Sequence, residues 1–357
     1  MKIKIDSTPL MGGHAVRGIG EYTRLLCEAL KNTQSVTLVE DGSFDVLHYT
    51  YFDLFFHTLP DNFSKPVVVT IHDVIPLLYP KHYKPGIRGK INLKKQINSL
   101  KKVKFVITDS ETSKKDIIRF LDVPEDKIVP IYLAFDPIYK KVGDKEKLKA
   151  IKDKYNLPDK FVLYVGDINY NKNIELLTRA CIKNKTHLVI VGKSAGNINH
   201  AIANFKGKGI RDVVRSLSGQ THPELAHYQS LAKLFESKHV STLGFVENAD
   251  LVGIYNLASI YCQPSLYEGF GLPPLQALAC DVPVVASRTQ AMVEVLEKGA
   301  VYFKPLDIDD LINKIESLLN DQGLRESMIR EGSKRLKNFS WDKTALETIK
   351  VYKKALQ

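Results

Sequence analysis

Pro264-Ser265-Leu266-Tyr267-Glu268-Gly269-Phe270-Gly271-Leu272-Pro273-Pro274-Leu275-Gln276-Ala277-Leu278-Ala279 is the stretch whose reading decides the fold. An apolar run at 259–263 precedes it and reads as a short strand. A turn follows that carries a carboxylate and two glycines, and then a helix opens with prolines. Glycine lets backbone approach a ligand closely. Proline suits the first helical turn, whose N–H groups have no intrahelical partner. Those N–H groups and the positive end of the helix dipole then face the turn, an arrangement that receives phosphate. Glu268 stands beside that position, so the stretch predicts a site for a ligand bearing both phosphate and hydroxyls. The plainer reading is a strand–turn–helix with Glu268 as a solvated carboxylate; the particular order Glu-Gly-Phe-Gly-Leu-Pro-Pro disfavours it.

Outward from this stretch the same alternation recurs. Strand candidates fall at 2–6, 36–40, 44–49, 66–71, 104–109 and 127–133, then at 160–166, 187–192, 240–246, 259–263, 282–286 and 300–303. Helix-period segments lie between them at 20–31, 87–101, 111–121, 173–183, 223–237, 248–257, 273–279 and 308–320. Strands such as Phe161-Val162-Leu163-Tyr164-Val165 are continuous apolar runs, the mark of parallel strands buried on both faces. Strand–helix alternation predicts an α/β fold of doubly wound parallel sheets. The pattern restarts near residue 160, after a charged segment at 140–154. This gives two Rossmann-like domains, 1–143 and 144–339, with a C-terminal amphipathic helix at 340–357 expected to pack back toward the first domain. Residues 193–222 are polar and read as a loop. Ligands of open α/β sheets bind outside the C-terminal strand edges, so two such sheets in series are expected to face one cleft.

Other motifs fall at strand ends. Gly166-Asp167-Ile168-Asn169-Tyr170-Asn171-Lys172-Asn173 follows a strand and opens a helix, which puts Lys172 where a diphosphate would sit. Equally, Asn173 could cap the helix while Lys172 is solvated. Gly12-Gly13 to Gly20, with Arg17 between, forms a glycine loop after the first strand, although ordinary turns use glycine too. Ile71-His72-Asp73 ends a strand, where Asp73 either orients the histidine or caps the next turn. Gly244-Phe245-Val246 ends another; a buried strand terminus explains it nearly as well. Asp307-Ile308-Asp309-Asp310 superficially resembles a metal cluster, but carboxylates at a helix start complement the dipole.

Bulk composition narrows the classes. The 357 residues suit two domains, and 44% hydrophobic with 25% charged residues is ordinary for a globular protein. No apolar run approaches the roughly 20 residues of a membrane span, and the N-terminus alternates like a strand without a signal-peptide core. Cys27, Cys181, Cys262 and Cys280 are far apart, so neither a disulfide framework nor a structural zinc site is expected, and a cytoplasmic location is the simplest. The formal charge of +11 points to anionic partners: phosphorylated substrate, anionic membrane or nucleic acid. Much of it lies in 81–104, with Lys81, Lys84, Arg88, Lys90, Lys94, Lys95, Lys101, Lys102 and Lys104 and no acidic residue. Ile87, Ile91, Ile97, Leu100 and Val103 recur there at helical spacing. The stripe is expected to be core and the lysines to face an anionic membrane. No aromatic side chains interleave for stacking, which argues against nucleic acid.

The motifs Pro-Ser-x-x-Glu-Gly-Phe-Gly and Gly-Asp-x-Asn-x-Asn-Lys-Asn, with Arg17-Gly18-Ile19-Gly20-Glu21-Tyr22-Thr23 and His72-Asp73, resemble the retaining glycosyltransferases of family 4, of GT-B fold, over essentially the whole chain. Within that family the chain resembles bacterial mannosyltransferase-like enzymes of polysaccharide and O-antigen synthesis. The resemblance implies metal-independent transfer of a hexose, mannose first, from a nucleotide-diphosphate sugar (GDP-mannose or a UDP-sugar) to a glycan or lipid-linked saccharide acceptor, without a cofactor. It implies catalytic roles for His72, Glu268 and Lys172. Donor binding is implied for Gly13, Asn171, Gly244, Phe245, Val246, Gly269, Phe270, Gly271, Leu272 and Gln276, and acceptor binding for Arg17 and Tyr22; Glu294 and Lys193 are weaker matches. The location implied is cytoplasmic, at the inner face of the plasma membrane. One position departs from the family: the second glutamate of its Glu-x7-Glu signature, which accepts from ribose hydroxyls, is Gln276 here. An amide oxygen still accepts, without the strength that charge adds, a difference of about 1 kcal/mol. Two other classes fit the same residues: a GT-B nucleotide-sugar epimerase, and a degenerate nucleotide-sugar-binding protein.

Overall fold

The structure is a computed structural model that describes residues 1–11, 18–203 and 222–357. It divides into two compact units, one of Met1–Ala134 with Phe339–Gln357, the other Phe135–Asn338. Among the described residues each unit is built on a six-stranded parallel sheet, and each strand segment expected from the sequence overlaps one of the twelve strands.

In the first unit the strands are β1 (Lys2–Ile5), β2 (Thr37–Leu38), β3 (Val46–Tyr49), β4 (Val67–Thr70), β5 (Phe105–Thr108) and β6 (Ile128–Pro130), in the order β2-β1-β3-β4-β5-β6. In the second they are β7 (Val162–Val165), β8 (Leu188–Val191), β9 (Val240–Thr242), β10 (Ile260–Gln263), β11 (Val284–Ser287) and β12 (Ala300–Phe303), in the order β12-β11-β10-β7-β8-β9. The central strands β4, β8, β10 and β11 are buried along their whole length, as helices on both faces require. The second order is the Rossmann one, and its direction reverses between β7 and β10. That reversal opens the crevice in which such sheets bind ligands. Register puts Leu163 opposite Tyr261, so the loops after β7 and β10 leave side by side.

Three local features differ from the sequence reading. The segment 140–154 holds a helix, Lys145–Lys154, because Asp144 accepts from the Lys147 N–H and one apolar residue, Ile151, is buried. The chain leaves the first unit at Ala134 rather than near 143. Residues 135–143 pack with the second unit: Tyr139 meets Tyr255 edge-on at 5.6 Å, and the Val142 N–H donates to Asn256 at 2.8 Å. Within 193–222, short helices occupy Lys193–Gly196 and Ile198–Ala203.

The C-terminal helix, Trp341–Ala355, belongs to the first unit. Ser340 caps it by accepting from the Lys343 N–H, and its inner face buries Ala345, Ile349, Val351 and Tyr352. Burial of a side chain such as Ile349 or Val351 contributes about 1.5–3 kcal/mol. Thr344 donates to the Tyr132 carbonyl at 2.8 Å, and the Tyr352 hydroxyl lies 2.7 Å from His48 Nδ1.

The basic segment forms the helix Ile87–Leu100. Its apolar stripe is only half core: Leu100 and Val103 are buried, while Ile87 is 82% and Ile91 51% exposed. Buried Gln96 explains the tilt of that face. It donates to the Asp53 carbonyl and to Thr58 and accepts from the Leu59 N–H, anchoring the helix's C-terminal half to the loop 53–59.

Candidate active site

In the second unit the reversal between β7 and β10 brings together residues 96 positions apart. Lys172 Nζ lies 2.8 Å from both Oε1 and Oε2 of Glu268. Three contacts join the two loops: the Leu266 N–H donates to the Asn171 carbonyl at 2.7 Å, Asn171 Nδ2 to the Tyr267 carbonyl at 3.2 Å, and Asn173 Nδ2 to the Pro264 carbonyl at 3.2 Å. Asn171 is therefore a buried staple between the loops. Asn173 holds the N-cap position of the helix Ile174–Lys183 in a left-handed conformation, φ 53°, but its side chain makes no cap bond; asparagine tolerates that conformation.

Glu268 is buried and surrounded by donors. Gln263 Nε2 donates to its Oε1 at 2.8 Å and Ser265 Oγ at 2.6 Å. Sequence reasoning assigned neither residue, although Ser265 lies in the decisive stretch. Gly271 turns the chain into the helix Leu272–Ala279 at φ +98°, a left-handed conformation that favours glycine; a Cβ there would also lie 2.4 Å from the terminal methyl of Met292. Pro273 and Pro274 carry no N–H, which leaves Gly271 and Leu272 to supply backbone donors at this terminus. Gln276 is buried, and its Oε1 accepts from the Tyr255 hydroxyl at 3.0 Å.

Beyond β8 and β9 the chain is again tight. The Gly192 N–H donates to the Gly244 carbonyl at 2.9 Å, and a Cβ on Gly192 would lie 2.1 Å from the Gly166 carbonyl oxygen. Val246 is buried there, and Phe245 is 53% exposed. Asp307 caps the helix Ile308–Asn320 by accepting from the Asp310 N–H, and Asp310 accepts from the Lys304 N–H, so these carboxylates serve the helix start. Among the described residues no group of three or more His, Cys, Asp or Glu is placed to hold a metal.

In the first unit, His72 follows β4 and is gripped by the ends of both neighbouring strands. Its Nδ1 lies 2.8 Å from Asp109 Oδ2, just past β5, and its Nε2 lies 3.2 Å from the Thr50 carbonyl, just past β3. Burial by itself would lower the imidazole pKa; the charge and hydrogen bond of Asp109, with Asp73, outweigh it and raise the value. Both ring nitrogens face acceptors, an arrangement that favours the imidazolium over the neutral ring. Asp73 also caps the following turn, accepting from the Ile75 N–H at 2.9 Å. Asp109 was not singled out from the sequence; its only signal there is a carboxylate at the end of a strand, in Thr108-Asp109-Ser110.

Tyr22, expected among acceptor contacts, is buried. Its hydroxyl lies 3.1 Å from Thr70 Oγ1 and its ring meets His72 edge-on at 4.8 Å, so it supports the imidazole from behind. Thr70 also meets His48 Nε2 at 2.8 Å. Burial, with His72 nearby, pulls the His48 pKa down to about 3. Gly13 and Arg17 lie outside the described residues.

Two doubly wound parallel sheets of this kind, the second with a lysine–glutamate pair at its reversal point, define the GT-B class of glycosyltransferases. The chain belongs to the group 1 glycosyl transferases, whose family model matches residues 144–335, more than half of its length; a Glycosyltransferase Family 4 model matches residues 16–138. It is 30% identical over 287 residues to O-antigen chain mannosyltransferase B of Escherichia coli, covering 80% of this chain and 70% of that protein. It is 26% identical over 303 residues to the serotype-specific mannosyltransferase WbdA of Escherichia coli, covering 83% of this chain and 34% of that one; the chain thus spans about a third of that relative's length. Among solved structures, sucrose-phosphate synthase from Thermosynechococcus elongatus matches with a TM-score of 0.70 at 19% identity, over 99% of this chain and 98% of that one, a likeness of fold. No helix among the described residues is long and apolar enough to cross a membrane.

Proposed function

We propose that the protein is a retaining hexosyltransferase that moves mannose from a nucleotide-diphosphate donor, GDP-mannose, to a glycan or lipid-linked saccharide during assembly of a surface polysaccharide. The observation that carries this reading is the Lys172–Glu268 pair at the reversal of the second sheet. A cation and a hydroxyl-binding carboxylate stand there together, beside a glycine turn and a helix N-terminus. The names of the two Escherichia coli relatives support mannose as the sugar.

In this reading donor and protein exchange partners. The diphosphate draws Lys172 from Glu268, and the freed carboxylate oxygen accepts from a sugar hydroxyl. As the glycosidic bond breaks, negative charge grows on the diphosphate. Lys172 and the N–H groups of Gly271 and Leu272 stabilise it; preorganised donors of this kind contribute about 2.7–4 kcal/mol each. Gly244, Phe245 and Val246 meet the base, and Gln276 accepts from the ribose. The leaving phosphate assists deprotonation of the acceptor hydroxyl on the same face as departure, which retains the anomeric configuration without a metal. His72, backed by Tyr22, positions the transferred sugar.

The acceptor side of this reading is an anionic membrane, on its cytoplasmic face. Exposed Ile87 and Ile91 stand on the basic helix, and Phe56, 71% exposed, lies in the loop that packs on it through the Asn92–Phe55 carbonyl bond. Each basic side chain near such a surface adds about 1 kcal/mol, and the apolar groups add insertion.

The test is incubation of the protein with radiolabelled GDP-mannose and a panel of UDP-hexoses, with polyprenyl-linked glycan acceptors. Labelled product from GDP-mannose with retained configuration is expected; no transfer from any nucleotide sugar would overturn the reading. Sedimentation with phosphatidylglycerol vesicles, lost in Ile87→Ser/Ile91→Ser, tests the membrane part; equal sedimentation by that variant would reject it.

A further inference from the structure

Gln263 and Ser265 close a buried triangle with Glu268. Gln263 Nε2 donates to Ser265 Oγ at 2.8 Å and to Glu268 Oε1 at 2.8 Å, and Ser265 Oγ donates to the same Oε1 at 2.6 Å. Ser265 is fully buried and Gln263 almost so. The Tyr261 hydroxyl donates to Gln263 Oε1, which fixes the amide so that its Nε2 faces the carboxylate. Tyr261 is itself buried and packs at a tilt against Tyr255, with ring centroids 5.8 Å apart. The two carboxylate oxygens are therefore unlike. Oε1 receives Gln263, Ser265 and Lys172; Oε2 receives Lys172.

We infer that Gln263 and Ser265 are positioning residues: they tether Oε1 so that Oε2 is the oxygen presented to the donor sugar when Lys172 turns to the diphosphate. This rests on the proposed transfer function. A glutamate has three side-chain torsions, and once Lys172 leaves, the salt bridge no longer holds it. The neutral donors on the strand end remain, because they belong to the same short segment, 263–268, and move with it. Sites of this kind need their groups held within about 0.5 Å, and a misplacement of about 1 Å costs about 100-fold in rate. Neither residue needs to touch the donor, so nucleotide affinity is set elsewhere.

Ser265→Ala removes one donor with little change in volume, and Gln263→Met removes the amide from a side chain of nearly the same shape. With donor and acceptor as above, each is expected to lower kcat about 10- to 100-fold, with donor KM within about threefold and GDP affinity by calorimetry unchanged. A merely structural role would lower thermal stability and affinity together. Rates within twofold of wild type in both variants, or a loss carried wholly by nucleotide affinity, would overturn the inference. Crystal structures of both variants with GDP bound, which draws Lys172 away from Glu268, give a reading independent of turnover. Displacement of the Glu268 carboxylate by more than about 0.5 Å is expected, and an unmoved carboxylate would overturn the inference even if the wild-type protein transferred no sugar. Absence of transfer by wild type would instead overturn the function.

Discussion

The two units hold their charged side chains in opposite ways. In the second unit a carboxylate, Glu268, is surrounded by donors from its own strand and turn, with a lysine as counter-ion from the neighbouring loop. In the first, an imidazole, His72, is held by a carboxylate and a carbonyl from the two strands on either side of it, which favour its charged form. One centre is made from a contiguous segment plus one lysine; the other needs three separate strand ends and a tyrosine from a helix. The first kind suits an exchangeable site, because its counter-ion can leave while the neutral donors stay. The second kind suits a fixed one, because removing any member leaves a buried group unpaired.

That contrast can be broken at either end. The largest effects are expected in the second unit: Glu268→Ala and Lys172→Ala should each lower the transfer rate about 10²- to 10³-fold with the fold retained, checked by initial rates and circular dichroism. Next comes the first unit. Asp109→Asn keeps the shape and removes the charge that raises the His72 pKa, so transfer should fall about tenfold, well short of the 100-fold cost of a 1 Å misplacement, and its pH profile should move to lower pH. An unchanged profile would separate His72 from the reaction.

A smaller effect concerns stability. The unfolded chain protonates His48 near 6.5, whereas the native ring stays neutral until about 3. Between those values the unfolded state binds more protons, so this contribution is present above about 6.5 and is lost as pH falls toward 3. His72 has the opposite sign. Its raised native value gives stability that is present below about 6.5 and lost as pH rises through that native value. His48→Gln should flatten the acid limb of urea-unfolding stability by up to about 1.4 kcal/mol per pH unit. The smallest effect is expected for Gln276→Glu. It adds charge-assisted strength where the family has a carboxylate and should tighten donor binding several-fold, read by calorimetry, with Tyr255 still donating to the new side chain.

The same contrast explains what was legible. Parallel strands and most long helices follow from apolar runs and their period, and β7–β10 adjacency follows from the doubly wound order. Glu268 stood out because local glycine and proline chemistry marks a phosphate-type turn, whereas the residues around Lys172 left it open between a diphosphate contact and a solvated side chain, and its role came from the family resemblance. Asp109 was not, since its partner is 37 positions away and nothing local distinguishes it. His48 and Tyr352, 304 positions apart, meet only after the C-terminal helix returns to the first unit. The exposed half of the basic helix was misread because a stripe at helical spacing does not tell which part of it finds a neighbour. Buried Gln96, a polar residue, does that anchoring through hydrogen bonds.

The most direct test of the central claim, that Lys172 and Glu268 act as one unit at the donor site, is a double-mutant cycle on initial transfer rates. If they do, the Lys172→Ala/Glu268→Ala protein is slowed no more than the slower single variant, as for groups that share one task. Losses that multiply across the two sites, or single variants as fast as wild type, would contradict it.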